Sequence, residues 1–475
     1  MFNVRLLNPE KFKDLMSIFD DFPANAYQSS QFAAATCYQP THEKVINSAP
    51  RIDVENALYR TRHHTTFQHG DHYLTFEIEN IPVSLVTFGL HLTHPFYNSS
   101  QRSGRYCTTM FDLGDEVMTD YIDSFINSNC HDVCDTILGK EMVVNWVRDG
   151  INFYNNNINK MCELAETAIR HERPHYAGNV KLQAERIAQE QLRCVLSTIF
   201  PTRLVHTINL SSLLSMKAVA WNTPLRELLR MMCDTLPEGQ FKEFAKELDT
   251  LDYNEYVPRY KTDYGTNTGL CCTPDVEVDP KCIYSGVNSK LIELYNGKFN
   301  NTLLDTFFFN PNTNPIDSDN STIKCQVEIP VSAFGQDQRH RTIKRSNPVV
   351  TGNFLVPPLV EKLPDGKSFC ADYIAEYIEL TKSTSTGDMI HFIPYGAMVS
   401  YTKEADVRAY LHSANKRLCF NAESTISKME QMTVQQLSGV LKTNTIDAPC
   451  ATGKCPEGKR YCGRSLSERT DRELI

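Results

Sequence analysis

The segment Gln336–Thr342 carries three successive cationic or potentially cationic side chains, Arg339, His340 and Arg341. Each guanidinium offers a planar fork of donors that matches pairs of phosphate oxygens, and the histidine can donate to a further oxygen. The segment is therefore suited to bind the phosphate of a nucleotide. Because two more basic residues follow at positions 344 and 345, a solvated surface patch is the alternative interpretation.

Ser103 and Arg105 flank Gly104 at the end of a polar, hydroxyl-rich stretch. Side chains two residues apart in extended backbone project to the same side, and a glycine between them lets backbone N–H groups approach a ligand. We therefore expect an extended segment that presents Ser103 and Arg105 together to a second phosphate or a nucleoside. As an isolated motif it is also typical of a surface turn.

Histidines and cysteines each cluster once, but neither cluster has the spacing that is typical of a metal site. Four histidines surround Phe67, and no clear pair lies on one helix face, so a turn or a ligand-facing rim is expected there. They are His63, His64, His69 and His72. Three cysteines after position 445, at positions 450, 455 and 462, have no obvious fourth ligand. We predict no metal site, with zinc at these cysteines as the alternative.

Hydrophobic periodicity indicates the elements that position these motifs. Alternation predicts strands at Tyr73–Ile81 and Thr322–Ser332, the second of which leads into the tribasic segment. The apolar run Ile81–Leu92 has the length of a buried helix or strand, and a helix is predicted to begin in Ser289–Tyr295. Other helical patterns cover residues 114 to about 193, 212–236, 368–383 and 404–431, and the last helix of the first pattern runs from about 184 to 197.

The bulk composition is that of an ordinary globular protein, and any phosphate that it binds is expected to be a small, locally held one. A chain of 475 residues exceeds the usual size of a single core, so two domains are expected. The net charge of −9 argues against general nucleic-acid binding or attachment to an anionic membrane. No apolar run has the length that spans a bilayer, and the N-terminal residues meet a proline and charges, so a cytoplasmic protein is expected. Its sixteen cysteines are expected to be mostly buried free thiols.

The two basic motifs resemble the two ends of one known signature. Gln336 with Arg339, His340 and Arg341 is similar to the opening Gln and Arg-His-Arg of the flavin-dependent thymidylate synthases, and residues 103–106 resemble the Ser-Gly-Arg-Tyr that closes it. In the first half the opening has become Thr-His-Pro at positions 93–95, and in the second half the close has become Val-Val-Thr at positions 349–351. Each half therefore keeps the part of the signature that the other has lost.

Further segments extend the resemblance over most of the chain. Phe32–Tyr38 resembles a small-residue run of the family, and residues 67–69, Phe-Gln-His, resemble its Phe-Glu-His. The family's apolar Leu-Pro turn is matched by residues 196–197 and again by residues 393–394, where the second copy continues into a helix with Arg408, His412 and Arg417. The resemblance implies a fused tandem duplication that packs about a pseudo-two-fold axis.

The resemblance also implies a fold and a domain organisation. Each half is expected to be an α+β domain, a small mixed or antiparallel sheet with helices. The predicted divisions are residues 1–255 for the first domain, 256–280 for a linker rich in turn residues, 281–445 for the second domain and 446–475 for a cysteine-containing tail. Two chains are expected to form a homodimer that acts as a pseudo-tetramer.

The family's activity supplies the expected roles of the site residues. The resemblance implies FAD-dependent methylation of dUMP at C5 to dTMP, with methylenetetrahydrofolate and NADPH as co-substrates. The expected catalytic residues are Arg417 and Ser103, and the expected substrate-binding residues are Ser103, Arg105, Gln336, Arg417 and Gln101. The expected FAD-binding residues are Arg339, His340, Arg341, Arg408, His412 and His69. A hydroxymethylating variant and a non-catalytic descendant that only binds nucleotide or assists assembly are the alternatives.

Overall fold

The structure of the chain is a computed structural model. It describes residues 2–6, 26–36, 38–52, 73–93, 97–107, 110–111, 114–130, 137–209, 212–213, 216, 223–236, 271–272, 283–284, 287–295, 322–384, 386–441, 447–448, 450, 455, 461–464 and 473–475. No helix within these ranges has the length and apolar character needed to cross a membrane.

The described elements are helices and strands, and most of the strand pairs are antiparallel, which makes the protein a mixed α and β structure. The strands are β1 Asn3–Leu6, β2 Tyr73–Pro82, β3 Tyr97–Gln101, β4 Pro201–Asn209, β5 Cys271–Cys272, β6 Ile283–Tyr284, β7 Asn288–Tyr295, β8 Thr322–Pro330, β9 Lys344–Arg345, β10 Val349–Leu355 and β11 Ala397–Asp406. The helices are α1 Ala26–Thr36, α2 His42–Ser48, α3 His91–Thr93, α4 Asp115–Asn129, α5 Ile137–Glu172, α6 Val180–Leu192, α7 Thr223–Asp234, α8 Val331–Asp337, α9 Gly366–Ser383, α10 Thr386–Met389, α11 Val407–Arg417 and α12 Ser424–Leu441.

The first compact unit comprises Met1–Arg102 and Phe200–Gly269. Its sheet has the order β1-β2-β4-β3, and every neighbouring pair in it is antiparallel. Alternate residues of β2 are buried, namely Leu74, Phe76 and Ile78, because successive side chains of a strand point to opposite faces. The buried run after β2 is helical, a π-helical turn at Leu85–Leu90 that continues into α3.

The second compact unit comprises Ser103–Ile199 and Leu270–Ile475. Its sheet has the order β5-β10-β11-β8-β7, with β6 beside β10 and β9 beside β11. The long helix α5 packs on α6 and on α9, and the buried indole of Trp146 stacks on the ring of Tyr373 with centroids 4.4 Å apart. This unit holds both basic motifs, because residues 103–107 and 336–342 belong to it.

Long, strongly periodic segments confirm the predictions made for them. The strand predicted at Tyr73–Ile81 is β2, and the one predicted at Thr322–Ser332 is β8. Helices fill most of the described part of residues 114–193, and α9 covers the helix predicted at 368–383. Helix α6 begins earlier than predicted, because Asn179 accepts a hydrogen bond from the N–H of Leu182 and so caps it.

One predicted helical segment is wrong, and a second is wrong at its start. Ser289–Tyr295 lies in strand β7, where Gln436 of α12 accepts from the N–H of Leu291 at 2.7 Å and donates to the carbonyl of Ser289 at 2.6 Å. Tertiary pairing therefore overrides the helix-like spacing of its apolar residues. In the predicted helical stretch 404–431, residues 404–406 end β11, and helix α11 begins only after Asp406 caps it.

The sequence-based domain boundaries stay predictions. The second unit combines residues 103–199 with the C-terminal part of the chain, so the compact units are discontinuous in sequence and do not mark where a repeat begins. Within the predicted linker, the described residues Cys271–Cys272 form strand β5, which pairs in parallel with Val349 and Val350 of β10. The cysteines whose side chains the structure describes are free thiols, at positions 107, 130, 162, 194, 233, 325, 370, 419, 450, 455 and 462.

Candidate functional site

The Ser-Gly-Arg motif is a compact turn, which corrects the extended segment expected from its spacing. The N–H groups of Tyr106 and Cys107 donate to the carbonyl of Ser103 at 3.3 and 3.0 Å, and the N–H of Arg105 donates to the Ser103 hydroxyl at 3.2 Å. A serine hydroxyl that bonds its own backbone two residues on favours such a turn over a strand. Gln189, which is 1% exposed, holds it from α6 by donating to the carbonyls of Gly104 and Cys107 at 2.7 and 2.8 Å.

Gly104 is required in this turn because a guanidinium packs directly against it. A Cβ at position 104 would lie 2.9 Å from Nη1 of Arg193, which is buried at the end of α6. The Arg193 guanidinium lies over the ring of Tyr395, 5.3 Å from its centroid. It is also 3.8 Å from the carboxylate of Glu423. The absent side chain therefore lets a buried cation reach the turn.

Arg105 is the central cation of the site. Its Nε donates to Glu190 of α6, Nη1 to Oε1 of Gln336 at 3.5 Å, and Nη2 to the carbonyl of Asn421 at 3.1 Å. Burial acts against its charged form, but Glu190 and, more weakly, Tyr106 and Glu423 outweigh this effect and raise the pKa of Arg105. The guanidinium is thus charged and fixed in direction.

Gln336 at the end of α8 joins the two basic motifs. Its Nε2 donates to the carboxylate of Glu423 and to the carbonyl of Ser332, the second at 3.3 Å. Its own carbonyl accepts from Nη2 of Arg417 at 2.5 Å. The structure therefore brings Arg105, Gln336 and Arg417 together within the second unit, although Arg105 and Gln336 are 231 positions apart in the chain.

The tribasic segment forms a turn directly after helix α8 rather than the end of an extended run. The N–H of Arg339 donates to the carbonyl of Gln336 at 3.1 Å, and the N–H of His340 donates to that of Asp337 at 3.2 Å. The ring of His340 lies 5.8 Å from that of His412 in edge contact. Burial, followed by the charge of Arg417, lowers the pKa of His340 to about 3, so its ring is neutral at neutral pH.

A buried ion pair between Asp337 and Arg345 stabilises the tribasic turn. Asp337 is fully buried and accepts from Nε of Arg345 at 2.6 Å and from the hydroxyl of Tyr401 at 2.8 Å. Arg345 also donates to the carbonyls of His340 and Ile343 at 3.0 and 2.8 Å. Although burial alone raises the pKa of Asp337, Arg345 and Lys403 outweigh it and hold the pKa well below its usual range. The turn is therefore held by the ion pair and by the hydrogen bonds of Arg345 to its backbone carbonyl groups.

The other predicted site residues lie in several places. Arg339 is exposed and Arg341 is half-buried in the turn, and His412 is exposed on α11. Gln101 ends strand β3 in the first unit, two positions before Ser103. His69 and the side chain of Arg408 lie outside the described residues. The roles given to all of these residues stay predictions.

Sequence reasoning missed several buried polar residues that build the cluster around Arg105. They are Gln189, Glu190, Arg193 and Glu423. Burial, followed by the charge of Glu190, raises the pKa of Glu423 to about 7, although three neighbouring arginines act to lower it. A helix that carries Gln189, Glu190 and Arg193 immediately before an apolar 3-10 turn was the available signal, because polar residues that interrupt an apolar face are seldom buried without a purpose.

A cavity of about 400 Å³ opens beside Arg105 in the second unit. Its lining combines guanidinium groups with aromatic rings and amides. The lining residues are Arg105, Tyr106, Arg173, Tyr176, Gln183, Arg186, Ile187, Glu190, Gln191, Asn421, Ala422, Tyr461 and Ile475. This combination suits an anion attached to a flat ring, because arginines bind the charged group and tyrosines cover the ring. Groups of three or more possible metal ligands do not occur among the described residues.

Comparison with known families gives one match. Residues 21–238 match the family described as thymidylate synthase complementing protein. No curated protein matches the chain significantly. The matched segment includes the Ser103–Cys107 turn and helix α6 with Glu190 and Arg193, and it ends well before the tribasic turn.

Proposed function

Because residues 21–238 belong to the thymidylate synthase complementing protein family, we propose that this chain is a thymidylate synthase of the flavin-dependent type. The proposed reaction is methylation of dUMP at C5 to dTMP, with FAD as cofactor and with methylenetetrahydrofolate and NADPH as co-substrates. The proposed site is composite, with Ser103 and Arg105 from one copy of the family fold and residues 336–341 and Arg417 from the other.

The observation that carries this proposal is the contact between the two half-motifs. Arg105 donates to the side chain of Gln336, and Arg417 donates to the carbonyl of the same residue. Both arginines therefore contact the same residue, Arg105 through its side chain and Arg417 through its backbone carbonyl. The Nε of Arg417 is buried and has no hydrogen-bonding partner within the described ranges, so a donor remains there for an acceptor on a bound molecule.

A reciprocal contact supports the tandem duplication. The N–H of Thr198 donates to the carbonyl of Ile393, and the N–H of Tyr395 donates to the carbonyl of Leu196, each at 2.9 Å. These bonds surround an antiparallel bridge between Ser197 and Pro394, the two apolar turns that the resemblance equates. Exchange of the same bond in both directions is the property of a self-complementary contact about a two-fold axis. We therefore propose two copies within one chain, and expect two chains to assemble as a pseudo-tetramer.

The tribasic turn fits the phosphate end of a flavin nucleotide. Arg339 and Arg341 supply charged donors, and the neutral ring of His340 supplies a further hydrogen-bonding group beside His412. The ion pair of Asp337 with Arg345 holds these donors in place without competing for them. When bound, the flavin would supply hydride transfer, chemistry that side chains cannot provide.

The chain's own contribution is position and electrostatics. The cluster contains donors and carboxylates but no nucleophile paired with a base, so the protein would orient the substrate rather than bond to it. Arg105 and Ser103 would bind the nucleotide, and Arg417 would stabilise negative charge that develops on the pyrimidine. Glu423, whose pKa lies near 7, would set the charge balance among these arginines.

The proposal is tested by the purified full chain. The protein should be yellow, with flavin absorbance, and it should convert dUMP to dTMP in the presence of methylenetetrahydrofolate and NADPH, as measured by mass spectrometry of the nucleotide. Omission of either co-substrate is the control. Protein that takes up no FAD when incubated with it would exclude this function.

A catalytically silent nucleotide-binding protein is the second candidate. The three partners of Arg105 favour it, because Glu190, Gln336 and Asn421 occupy the guanidinium that a substrate would need. Binding of dUMP by calorimetry, combined with no dTMP even when FAD is bound, would establish this second function.

A further inference from the structure

The cavity beside Arg105 contains a second cationic cluster that the proposed reaction does not use. Arg173 follows directly after helix α5, and Arg186 lies on α6. Both line the cavity together with the rings of Tyr106, Tyr176 and Tyr461. Arg105 and Glu190 form the wall that the cavity shares with the proposed substrate site.

Arg173 is a buried cation that forms no ion pair within 4 Å in the described ranges, although Glu190 acts on it from a greater distance. It is 6% exposed, and its Nε has no hydrogen-bonding partner in the described part of the chain. The adjacent carboxylate of Glu172 is already bound by Arg464 at 2.7 Å and by the N–H groups of Leu474 and Ile475 at 2.6 and 3.3 Å. Burial, followed by the like charge of Arg464, lowers the pKa of Arg173. A buried guanidinium in such surroundings is costly unless an anion joins it.

Arg186 adds a second donor to the lining of the cavity. Its guanidinium lies 5.5 Å from the centroid of the Tyr106 ring, and Arg105 lies 5.4 Å from the same centroid. The Nε of Arg186 is buried and has no hydrogen-bonding partner in the ranges that the structure covers. Arg105 is neutralised by Glu190, so the cations of Arg173 and Arg186 exceed the carboxylates that line the cavity.

We propose that this cavity is a binding site for a phosphate monoester, held between Arg173 and Arg186. A phosphate dianion would offset this excess of positive charge, and its oxygens are matched by the planar donors of guanidinium groups. The volume of about 400 Å³ exceeds what phosphate alone needs, and the tyrosine rings would cover an attached heterocycle. The phosphate belongs either to the nucleotide substrate or to a separate phosphorylated small molecule. Only the first source rests on the proposed function.

The site is tested with inorganic phosphate as the probe. Isothermal titration calorimetry at constant ionic strength, adjusted with chloride, should show phosphate binding to the full chain. The variants Arg173→Met and Arg186→Gln should each weaken it about tenfold or more, because each removes a charged donor. Arg170→Gln is the matched control, because the exposed Arg170 lies in the last turn of α5, near Arg173 in sequence, and bonds Glu166 at 2.6 Å. Unchanged phosphate affinity in both variants would overturn the proposal.

Thermal unfolding in phosphate-free buffer separates a binding role from a structural one. Arg173→Met should raise Tm, because it removes a buried uncompensated charge, whereas a structural arginine would lower Tm when replaced. In the parent protein, phosphate should raise Tm, and this rise should vanish in both variants. A lowered Tm of Arg173→Met with an intact phosphate response would contradict the assignment.

Titration with dUMP and deoxyuridine identifies the source of the phosphate. If the cavity holds the substrate's phosphate, Arg186→Gln weakens dUMP binding and leaves deoxyuridine binding unchanged. If the ligand is a separate molecule, phosphate and dUMP bind at the same time, and Arg186→Gln weakens only phosphate. Both outcomes support the phosphate site. A chain that forms dTMP yet binds no phosphate here loses only this inference, and one that binds phosphate but no FAD loses only the proposed function.

Discussion

Arg345 and Arg173 are both withdrawn from solvent in the second unit, yet their surroundings are opposite. Arg345 donates to the carboxylate of Asp337 and to three carbonyl groups, and that carboxylate also accepts from Tyr401. Arg173 has Arg464 as a like-charged neighbour, and its Nε has no hydrogen-bonding partner among the described residues. The first arrangement supports a turn, whereas the second is complete only with an anion. Arg345 thus uses its donors within the protein, whereas Arg173 keeps a buried donor that a bound anion could use.

The largest expected effect comes from opening the saturated network. Asp337→Asn should destabilise the protein by about 3–5 kcal/mol, because it leaves the buried charge of Arg345 unpaired. Chemical denaturation measures this loss. The exposed Asp372→Asn on α9 is the control and should change stability by less than about 0.5 kcal/mol. Equal stabilities of the two variants would show that the network does not support the turn.

Arg105 tests whether saturation always excludes ligand binding, because it has three protein partners and is still proposed to bind dUMP. Arg105→Gln should weaken dUMP binding by about 2–3 kcal/mol, since a charged hydrogen bond to the ligand is lost. Calorimetry with dUMP measures the change, with the exposed Lys181→Gln on α6 as control. Unaltered affinity in Arg105→Gln would make Arg105 a structural residue like Arg345.

Glu423 should make the stability of the cluster depend on pH. Its pKa is raised to about 7 by burial and by Glu190, so between about pH 4.5 and 7 the folded chain keeps a proton that the unfolded chain releases. This contribution to stability is therefore present at low pH and declines as pH rises through that window. Glu423→Gln should remove the decline, with a gain relative to the parent of about 2 kcal/mol at pH 7.

Denaturation of Glu423→Gln and of its parent across pH 4.5 to 7.5 provides the measurement. The exposed Glu379→Gln, whose side chain is 70% accessible, is the matched control and should follow the parent curve. Parallel curves for Glu423→Gln and its parent would mean that Glu423 titrates as an ordinary carboxyl.

The smallest effect is expected at the surface, where solvent replaces any lost partner. Lys160 bonds Glu163 at 2.9 Å on α5, and both side chains are more than half exposed. Lys160→Gln should change the unfolding free energy by less than about 0.5 kcal/mol. A larger loss in the same denaturation assay would weaken the distinction between saturated buried pairs and solvated ones.

Elements with a strong hydrophobic period could be predicted from the sequence. Elements whose conformation is set by contacts with residues far away in the chain could not. Strand β2 and the helical region containing α5 follow from local alternation and helical spacing. The strand at Asn288–Tyr295 was predicted as a helix, because its pairing with β8 and with Gln436 of α12 has no local signature. The turn at Ser103 likewise depends on Gln189, which is 85 and 82 positions away from the two carbonyls that it bonds.

The same limit applies to the candidate site. Arg105, Gln336 and Arg417 could be singled out because they resemble a known signature, and the structure brings them together. Arg173 and Arg186 carry no such signature. The proposal for them rests on buried donors that lack a partner among the described residues of the folded chain. Burial of an unpaired guanidinium is a property of the folded chain and not of any stretch of sequence.

The pairing of the two apolar turns also sets the timing of folding during synthesis. The hydroxyl of Ser197 donates to the carbonyl of Phe392, 195 positions later in the chain. At a ribosomal rate of about 5–20 residues per second, this partner emerges about 10–40 s after the first turn. The indole N–H of Trp146 donates to the carbonyl of Tyr373, which lies 227 positions further along the chain. The interval before this partner is synthesised is therefore longer still. The side of helix α5 that packs on α9 therefore stays uncovered on the nascent chain until α9 is synthesised.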